Sequence, residues 1–363
     1  MQRLDFLDSL RGLAAIYIVL YHMVFIPQPS IVIVPQWAAA FVHTGGTAVT
    51  LFFVASAFSL CLTWHLHDRE VHQIKNFFVR RFFRIAPLFY FWIGLSLLRD
   101  VLIFDALHSP FEIFSSLLFF FNLVPGGQDG FVWASWIISV EILFYLLFPV
   151  IIKHISDTWQ AAALFVGTLL LSLAFKSVLD YLPLNNAVRL PFYDRAFLHH
   201  LPVFAFGMLV YFLFKRFRTK AVPQSVGYTL MGAAANGYAA ALKGYLSIIF
   251  FDAYYWQAVI YGAFFLGLAI SPITLIVNRV TKFLGKISYS LYLNHPTIVY
   301  LLIPVYRIIY EWPIPTTFKY LCAVSMTLSI LIVASYLTYR FIEKPGIHLG
   351  KRFIQKSLAT GGD

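Results

Sequence analysis

Long apolar runs alternate along the whole chain with short segments that carry charges or contain Pro and Gly. A run of about 20 apolar residues is long enough to cross the hydrocarbon core of a membrane as a helix. The pattern predicts ten spans, at residues 7–26, 46–64, 85–104, 135–153, 159–179, 201–214, 226–242, 246–270, 286–303 and 320–341. We therefore predict an all-α polytopic membrane protein.

One further apolar run, 111–124, is too short for a full span and contains Glu112 and Asn122. It ends in the sequence Pro125-Gly126-Gly127, which favours a turn. We interpret this run as a re-entrant or interfacial segment.

The distribution of Lys and Arg supports that count, because basic residues accumulate on the cytoplasmic side of membrane proteins. With ten spans and a cytoplasmic N-terminus, all but seven of the 27 basic residues are cytoplasmic. The seven are Arg99, Lys176, Arg189, Arg195, Lys243, Arg307 and Lys319. An eleventh crossing at 111–124 would move the later basic loops outside. Both termini are thus predicted to be cytoplasmic, with one transmembrane domain (3–347) and a short basic tail (348–363).

The composition agrees with a membrane protein, since 60% of the 363 residues are hydrophobic and 12% are charged, with a mean hydropathy of +0.77. Basic cytoplasmic loops explain the net charge of +11 better than nucleic-acid binding does. No small-residue cleavage site follows the first apolar run, so this span is expected to remain. Cys61 and Cys322 both lie in apolar runs, which favours packing over a disulfide.

The first predicted span carries a cation and an imidazole, Arg11 and His22. Eleven residues separate them, so on a helix they differ by only ~20° in direction and lie ~16 Å apart. Arg11 is then at the membrane boundary and His22 near the midplane. An ionisable residue at that depth is a candidate functional residue.

A second cluster, Arg80, Arg81 and Arg84, approaches the third span at helical spacing. Guanidinium groups suit phosphate because they form two parallel hydrogen bonds. Alternatively, the cluster marks the cytoplasmic end of the span and its side chains extend to the interface. Arg11 is predicted at the same depth, which favours the phosphate-binding role.

Glu141 lies within an otherwise apolar span. A carboxylate there is costly unless it is paired or neutral, so we expect it to meet His22, an arginine or water. It could instead tie helices together, or orient the imidazole.

Three other histidines are assigned structural or rim positions. His295 is predicted to break the ninth span just before Pro296, where the backbone loses a donor. His199 and His200 are predicted at the outer mouth of the sixth span.

Known metal-binding and nucleophile motifs are missing from the sequence. It contains neither Cys-x-x-Cys nor His-Glu-x-x-His, so no metal is predicted. It also lacks a Gly-x-Ser-x-Gly elbow and a Gly-rich phosphate loop. An acyl relay through Cys61 is disfavoured by its apolar setting. The chain thus offers a base without a convincing nucleophile.

Five motifs, in this order, resemble the acyltransferase 3 family of integral membrane acyltransferases. They are Leu7-Asp8-Ser9-Leu10-Arg11-Gly12 through His22, Arg81-x-x-Arg84-x-x-Pro87, Trp136-x-x-Ser139-Val140-Glu141 with Phe144-Tyr145, Ile287-Ser288-Tyr289-Ser290-Leu291-Tyr292-Leu293 with His295-Pro296, and Phe341-Ile342-Glu343-Lys344-Pro345.

The resemblance implies a ten-helix enzyme that moves an acyl group, commonly acetyl, from cytoplasmic acyl-CoA to a hydroxyl. The acceptor is often a cell-surface polysaccharide or its lipid-linked precursor. The matched functional residues are Arg11, His22, Arg81 and Arg84, with Glu141 as a further candidate. Ile142 stands where many members have a second acid. No C-terminal hydrolase-like domain is seen, which favours the single-domain branch.

We therefore expect Arg11, Arg81 and Arg84 to hold the donor's phosphates, with His22 as general base and Glu141 as the second catalytic candidate. The expected donor is acetyl-CoA, without a metal, and the expected location is a bacterial plasma or inner membrane. Expected partners are the lipid bilayer, a carbohydrate or lipid-linked sugar and polysaccharide-assembly proteins, with no nucleic acid. The alternative is a proton-coupled transporter of an anionic or sugar-like solute. A non-catalytic scaffold would explain neither Arg11 nor His22.

Overall fold

Each of the ten predicted spans contains an α-helix within the residues that the structure, a computed structural model, describes, which are 4–220, 222–245 and 252–359. Within these ranges the chain forms sixteen α-helices and no strand, which confirms the all-α prediction. The helices are α1 (Asp5–Phe25), α2 (Gln36–His43), α3 (Ala48–Leu66), α4 (Gln73–Phe104), α5 (Pro110–Leu117), α6 (Trp136–Lys153), α7 (Thr158–Tyr181), α8 (Asn186–Arg195), α9 (Phe197–Thr219), α10 (Gln224–Leu242), α11 (Ala253–Ile270), α12 (Arg279–Lys286), α13 (Ser288–Leu301), α14 (Ile303–Glu311), α15 (Thr316–Thr338) and α16 (Lys344–Ala359).

Eight helical segments of the described chain are long and apolar enough to cross a membrane. They are Asp5–Phe25, Gln36–Leu66, Gln73–Phe104, Trp136–Lys153, Thr158–Tyr181, Asn186–Thr219, Ala253–Ile270 and Thr316–Lys356. This confirms a polytopic membrane protein. The other two predicted spans correspond to α10 and α13, and the 14 residues of α13 rise only about 21 Å. The count of ten and the cytoplasmic termini stay predictions.

The clearest differences from the predicted spans are in α4 and α13. α4 begins at Gln73 rather than at residue 85, so its first turns carry the arginine cluster. The predicted start of the eighth span, at residue 246, lies outside the described residues. The prediction that the ninth span breaks before Pro296 is wrong, because α13 continues through this proline to Leu301.

The segment 111–124 contains one short α-helix, α5, of eight residues, and a single 3₁₀ turn, Phe121–Leu123. Eight residues rise about 12 Å, less than half of the hydrocarbon core. Ser109 begins the helix with a capping box, in which its side chain accepts from the Glu112 backbone and the Glu112 carboxylate accepts from the Ser109 backbone. These backbone hydrogen bonds lower the pKa of Glu112. The short helix agrees with the prediction that this segment does not cross the bilayer.

The chain divides into two compact units, each built from two segments. The first unit comprises Met1–Phe58 and Phe206–Tyr336. Inside it α1 packs against α12 at Gly12, where an added Cβ would lie 2.6 Å from the Gly285 nitrogen and from the Thr281 carbonyl oxygen. The two helix backbones therefore approach as closely as only glycine allows.

The second unit comprises Ser59–Ala205 and Leu337–Asp363. Here α16 packs along α4, with Gly346 against Pro87 and Gly350 against Phe83. Residues 348–359, which the sequence analysis assigns to a tail, thus form part of a packed helix.

Candidate active site

Arg11 and His22 lie on one continuous helix, α1, as the spacing predicts. Apolar side chains between them, including Ala14, Ala15 and Ile18, are buried and hold α1 in the interior of the first unit. The guanidinium of Arg11 donates to the Ala55 carbonyl oxygen at 3.4 Å. His22 is partly exposed, so its ring can meet a ligand.

The imidazole of His22 contacts a second imidazole, that of His295 on α13. The distance from His22 Nδ1 to His295 Nε2 is 2.8 Å, and His295 is fully buried. The sequence alone predicts a structural position for His295, because it names no partner for this residue. The structure supplies the partner, 273 residues away along the chain.

Arg81, Arg84 and Glu141 belong to the second unit, so they form a set of their own. Arg81 donates to the Thr63 hydroxyl at 3.1 Å, and its guanidinium carbon lies 5.5 Å from the centre of the Tyr145 ring. Glu141, on α6, interacts electrostatically with Arg81. The partner expected for Glu141 stays a prediction.

Arg84 forms an ion pair with Glu343, the acid of the last sequence motif. Glu343 is fully buried, whereas a third of the Arg84 side chain is exposed. Arg84 thus holds α4 to the segment that leads into α16, in addition to the donor-binding role predicted for it.

Arg80, which no motif contains, binds Glu70 through both guanidinium branches at 3.0 and 2.9 Å. Partial burial would raise the pKa of Glu70, but hydrogen bonds from Arg80 and Asn76 outweigh burial and lower it. Arg80 and Arg81 also line a small cavity of about 70 Å³ together with Thr63 and His67. Both arginines therefore line one cavity.

A larger cleft, of about 580 Å³, follows the C-terminal end of α4. Its lining includes His108, Glu112 and Asp129 together with the rings of Phe111 and Phe131. Asp100, buried on α4, binds His108 at 2.9 Å and fixes the orientation of its ring. The sequence does not predict this cleft, because its residues follow no known motif.

The remaining titratable candidates have local partners. His199 and His200 are buried at the start of α9, and their rings contact the backbone carbonyl oxygens of Tyr193 and Asp194 at 3.0 and 2.9 Å. Cys61 is buried and Cys322 exposed, and neither forms a disulfide. The described residues contain no group of three or more His, Cys, Asp or Glu that could hold a metal ion.

The fold and these residues define a helical membrane protein with an imidazole pair in one unit and a guanidinium cluster in the other. The family model described as an acyltransferase domain matches residues 4–336. The chain belongs to this family, the acyltransferase 3 family.

Related proteins match at lower identity. Peptidoglycan O-acetyltransferase OatA of Listeria monocytogenes is 25% identical over 93% of this chain and 55% of its own length. A protein of Staphylococcus aureus strain COL, named as a candidate O-acetyltransferase, is 25% identical over 95% of this chain and 57% of its own length. A candidate acetyltransferase of Acidianus two-tailed virus is 24% identical over 79% of this chain and 81% of its own length. The chain thus spans little more than half of the two bacterial relatives. No solved structure matches it.

Proposed function

We propose that this protein is a membrane-bound O-acyltransferase that moves an acyl group, acetyl in the first instance, from cytoplasmic acyl-CoA to a hydroxyl of a glycan-like acceptor. A cell-surface polysaccharide or its lipid-linked precursor is the proposed acceptor, and a bacterial plasma membrane the proposed location. The observation that carries the proposal is the family match over residues 4–336.

His22 supplies the base that acyl transfer requires. The acceptor oxygen attacks the thioester carbonyl carbon while a ring nitrogen of His22 takes the hydroxyl proton. The carbon–sulfur bond then breaks, and the proton passes to the departing CoA thiolate. The products are the ester and free CoA thiol, and no covalent enzyme intermediate is needed.

The donor is held by arginines in this proposal. Arg81 is the leading phosphate ligand of the second unit, because it lines a cavity and its guanidinium donates to a neutral hydroxyl. Arg84 has a buried carboxylate as partner, so a phosphate would have to share its guanidinium with Glu343. Arg11 is the corresponding candidate in the first unit.

The cleft that follows α4 supports a glycan-like acceptor. From Arg81 to the end of α4 at Phe104 the helix rises about 35 Å, roughly the thickness of a bilayer. The proposed phosphate-binding residues and the cleft therefore lie near opposite ends of α4. The volume of the cleft is in the usual range for ligand sites, and its mixture of carboxylates and aromatic rings suits a hydroxyl-rich ligand.

The test uses the 363-residue chain in lipid nanodiscs with acetyl-CoA and a panel of sugars and lipid-linked sugars. We expect release of CoA thiol that depends on the acceptor, together with a gain of one acetyl group in the acceptor's mass. His22→Gln should lower this rate by about 10²–10⁴-fold and leave acyl-CoA binding unchanged.

The alternative class, a transporter, predicts a different result. It requires protein-dependent uptake of an anionic or sugar-like solute into liposomes, with no thiol release for any acceptor. That outcome would refute the acyltransferase proposal.

A further inference from the structure

A histidine and a proline are neighbours in the interior of α13, at positions 295 and 296. Proline has no N–H, so it cannot donate to the carbonyl four residues earlier, that of Tyr292. A buried carbonyl without a donor is destabilising, because it loses its hydrogen bond to water and gains none in the protein. The continuous path of α13 therefore requires another donor for Tyr292.

The ring of His295 is that donor. Its Nδ1 lies 2.5 Å from the Tyr292 carbonyl oxygen. Because a carbonyl oxygen only accepts, the hydrogen of this bond must be on Nδ1. A neutral imidazole carries one N–H, so the Nε2 of His295 is then a bare acceptor.

The contact with His295 also determines which ring nitrogen of His22 carries the hydrogen. Its Nδ1 lies 2.8 Å from the bare Nε2 of His295, and two bare nitrogens at that distance would repel each other. His22 must therefore carry its hydrogen on Nδ1 and donate to His295.

We infer that His295 is a positioning residue that holds His22 in the tautomer with Nδ1 protonated and Nε2 bare. The inference rests on the proposed function, in which a bare nitrogen of His22 takes the proton of the acceptor hydroxyl. A proline-freed carbonyl, a buried imidazole and the catalytic imidazole thus form one directed chain of hydrogen bonds. After proton transfer His22 carries a hydrogen on both nitrogens, and its Nδ1–H still donates to His295.

A neutral imidazole partner differs from a carboxylate in one respect. A carboxylate would strongly favour the charged form of His22, which cannot act as a base. His295 orients the ring as a carboxylate would, but adds no negative charge. α13 is in turn held in place, because the neighbouring Asn294 donates to the Ser335 hydroxyl of α15 at 3.2 Å.

The test compares two replacements of similar size. The side-chain oxygen of His295→Gln can still accept from His22 Nδ1, whereas His295→Leu cannot. His200→Leu is the matched control, because His200 is equally buried and its ring also contacts a backbone carbonyl, that of Asp194. Each variant is first checked by size-exclusion chromatography and thermal unfolding, and rates are normalised to folded protein.

The first readout is nitrogen NMR of protein labelled with ¹⁵N-histidine in nanodiscs, with the His22 signals identified by their loss in His22→Gln. We expect a protonated Nδ1 and a bare Nε2 in the parent and in His200→Leu, and a mixture of tautomers in His295→Leu. A protonated Nε2 in the parent would overturn the inference. Since no substrate is present, this result does not depend on acyl transfer.

The second readout is the kinetics of acyl transfer. His295→Leu should lower kcat about 10²-fold, while acyl-CoA binding and KM stay within a few-fold of the parent. The kcat of His295→Gln should be at least about tenfold higher than that of His295→Leu. A merely structural role predicts that both variants lose activity together with folded protein. If the parent transfers no acyl group, the proposed function fails. If the parent transfers an acyl group and folded His295→Leu has the same kcat, the positioning role fails.

Discussion

Replacing Arg84 with methionine would remove the partner of a carboxylate that has no exposure to solvent, Glu343. Breaking a fully buried ion pair from one side costs about 3–5 kcal/mol, while an exposed pair contributes about 0–1 kcal/mol. Because one third of Arg84 is exposed, we expect Arg84→Met to lower the free energy of unfolding by about 2–3 kcal/mol. Glu343→Gln should cost only about 1 kcal/mol, since the amide oxygen still accepts and the guanidinium can be hydrated.

The assay is equilibrium unfolding in mixed detergent and SDS micelles, followed by tryptophan fluorescence. Arg80→Met is the matched control, because Arg80 lies on the same helix and also binds a carboxylate, but Glu70 is 27% exposed. It should cost about 0–1 kcal/mol. Equal losses for Arg84→Met and Arg80→Met, or a larger loss for Glu343→Gln than for Arg84→Met, would refute the reasoning. Lost activity in an Arg84 variant is evidence for phosphate binding only if the protein remains folded.

Four other outcomes follow from the structure. Gly12→Ala should reduce the yield of folded protein measured by size-exclusion chromatography, because its Cβ would meet α12, whereas Gly232→Ala, with no atom within 4 Å, should not. Arg81→Lys should weaken acyl-CoA binding, measured by calorimetry, about tenfold with little change in kcat, because lysine lacks the two-branched donor. Glu141→Gln should lower kcat less than His22→Gln does if Glu141 only orients other groups. An equal or larger loss of kcat would identify Glu141 as the base. Reporter fusions after Lys220, just beyond the end of α9, should report a cytoplasmic position, and an external position would refute the ten-span topology.

Hydrophobic run length predicts most of the helices because a bilayer-spanning segment needs about 20 apolar residues and satisfies its own backbone. The same rule places Arg11 and His22 on one helix, which the structure confirms. It fails for residues 348–359, where a polar sequence forms a helix because it can pack on α4. Run length alone does not show which neighbour a polar helix will find.

The pairing of His22 with His295 could not be predicted in the same way. The two residues are 273 positions apart, and their contact depends on how α1 and α13 pack. One local signal was nevertheless present. Pro296 inside an apolar run frees the carbonyl of Tyr292, and the adjacent histidine is the donor within reach. This signal indicates that Nδ1 of His295 donates to the backbone, which leaves its Nε2 available for a partner.

The contact between Gly12 and Gly285 also limits how α1 can move. An added Cβ at Gly12 would lie 2.6 Å from backbone atoms of α12, so an axial rotation of α1 that brings a larger side chain to this place is sterically blocked. The packing therefore fixes the direction in which Arg11, the neighbour of Gly12, and His22, further along the same helix, leave α1. Within the first unit, a substrate must adapt to the face of α1 that this packing presents.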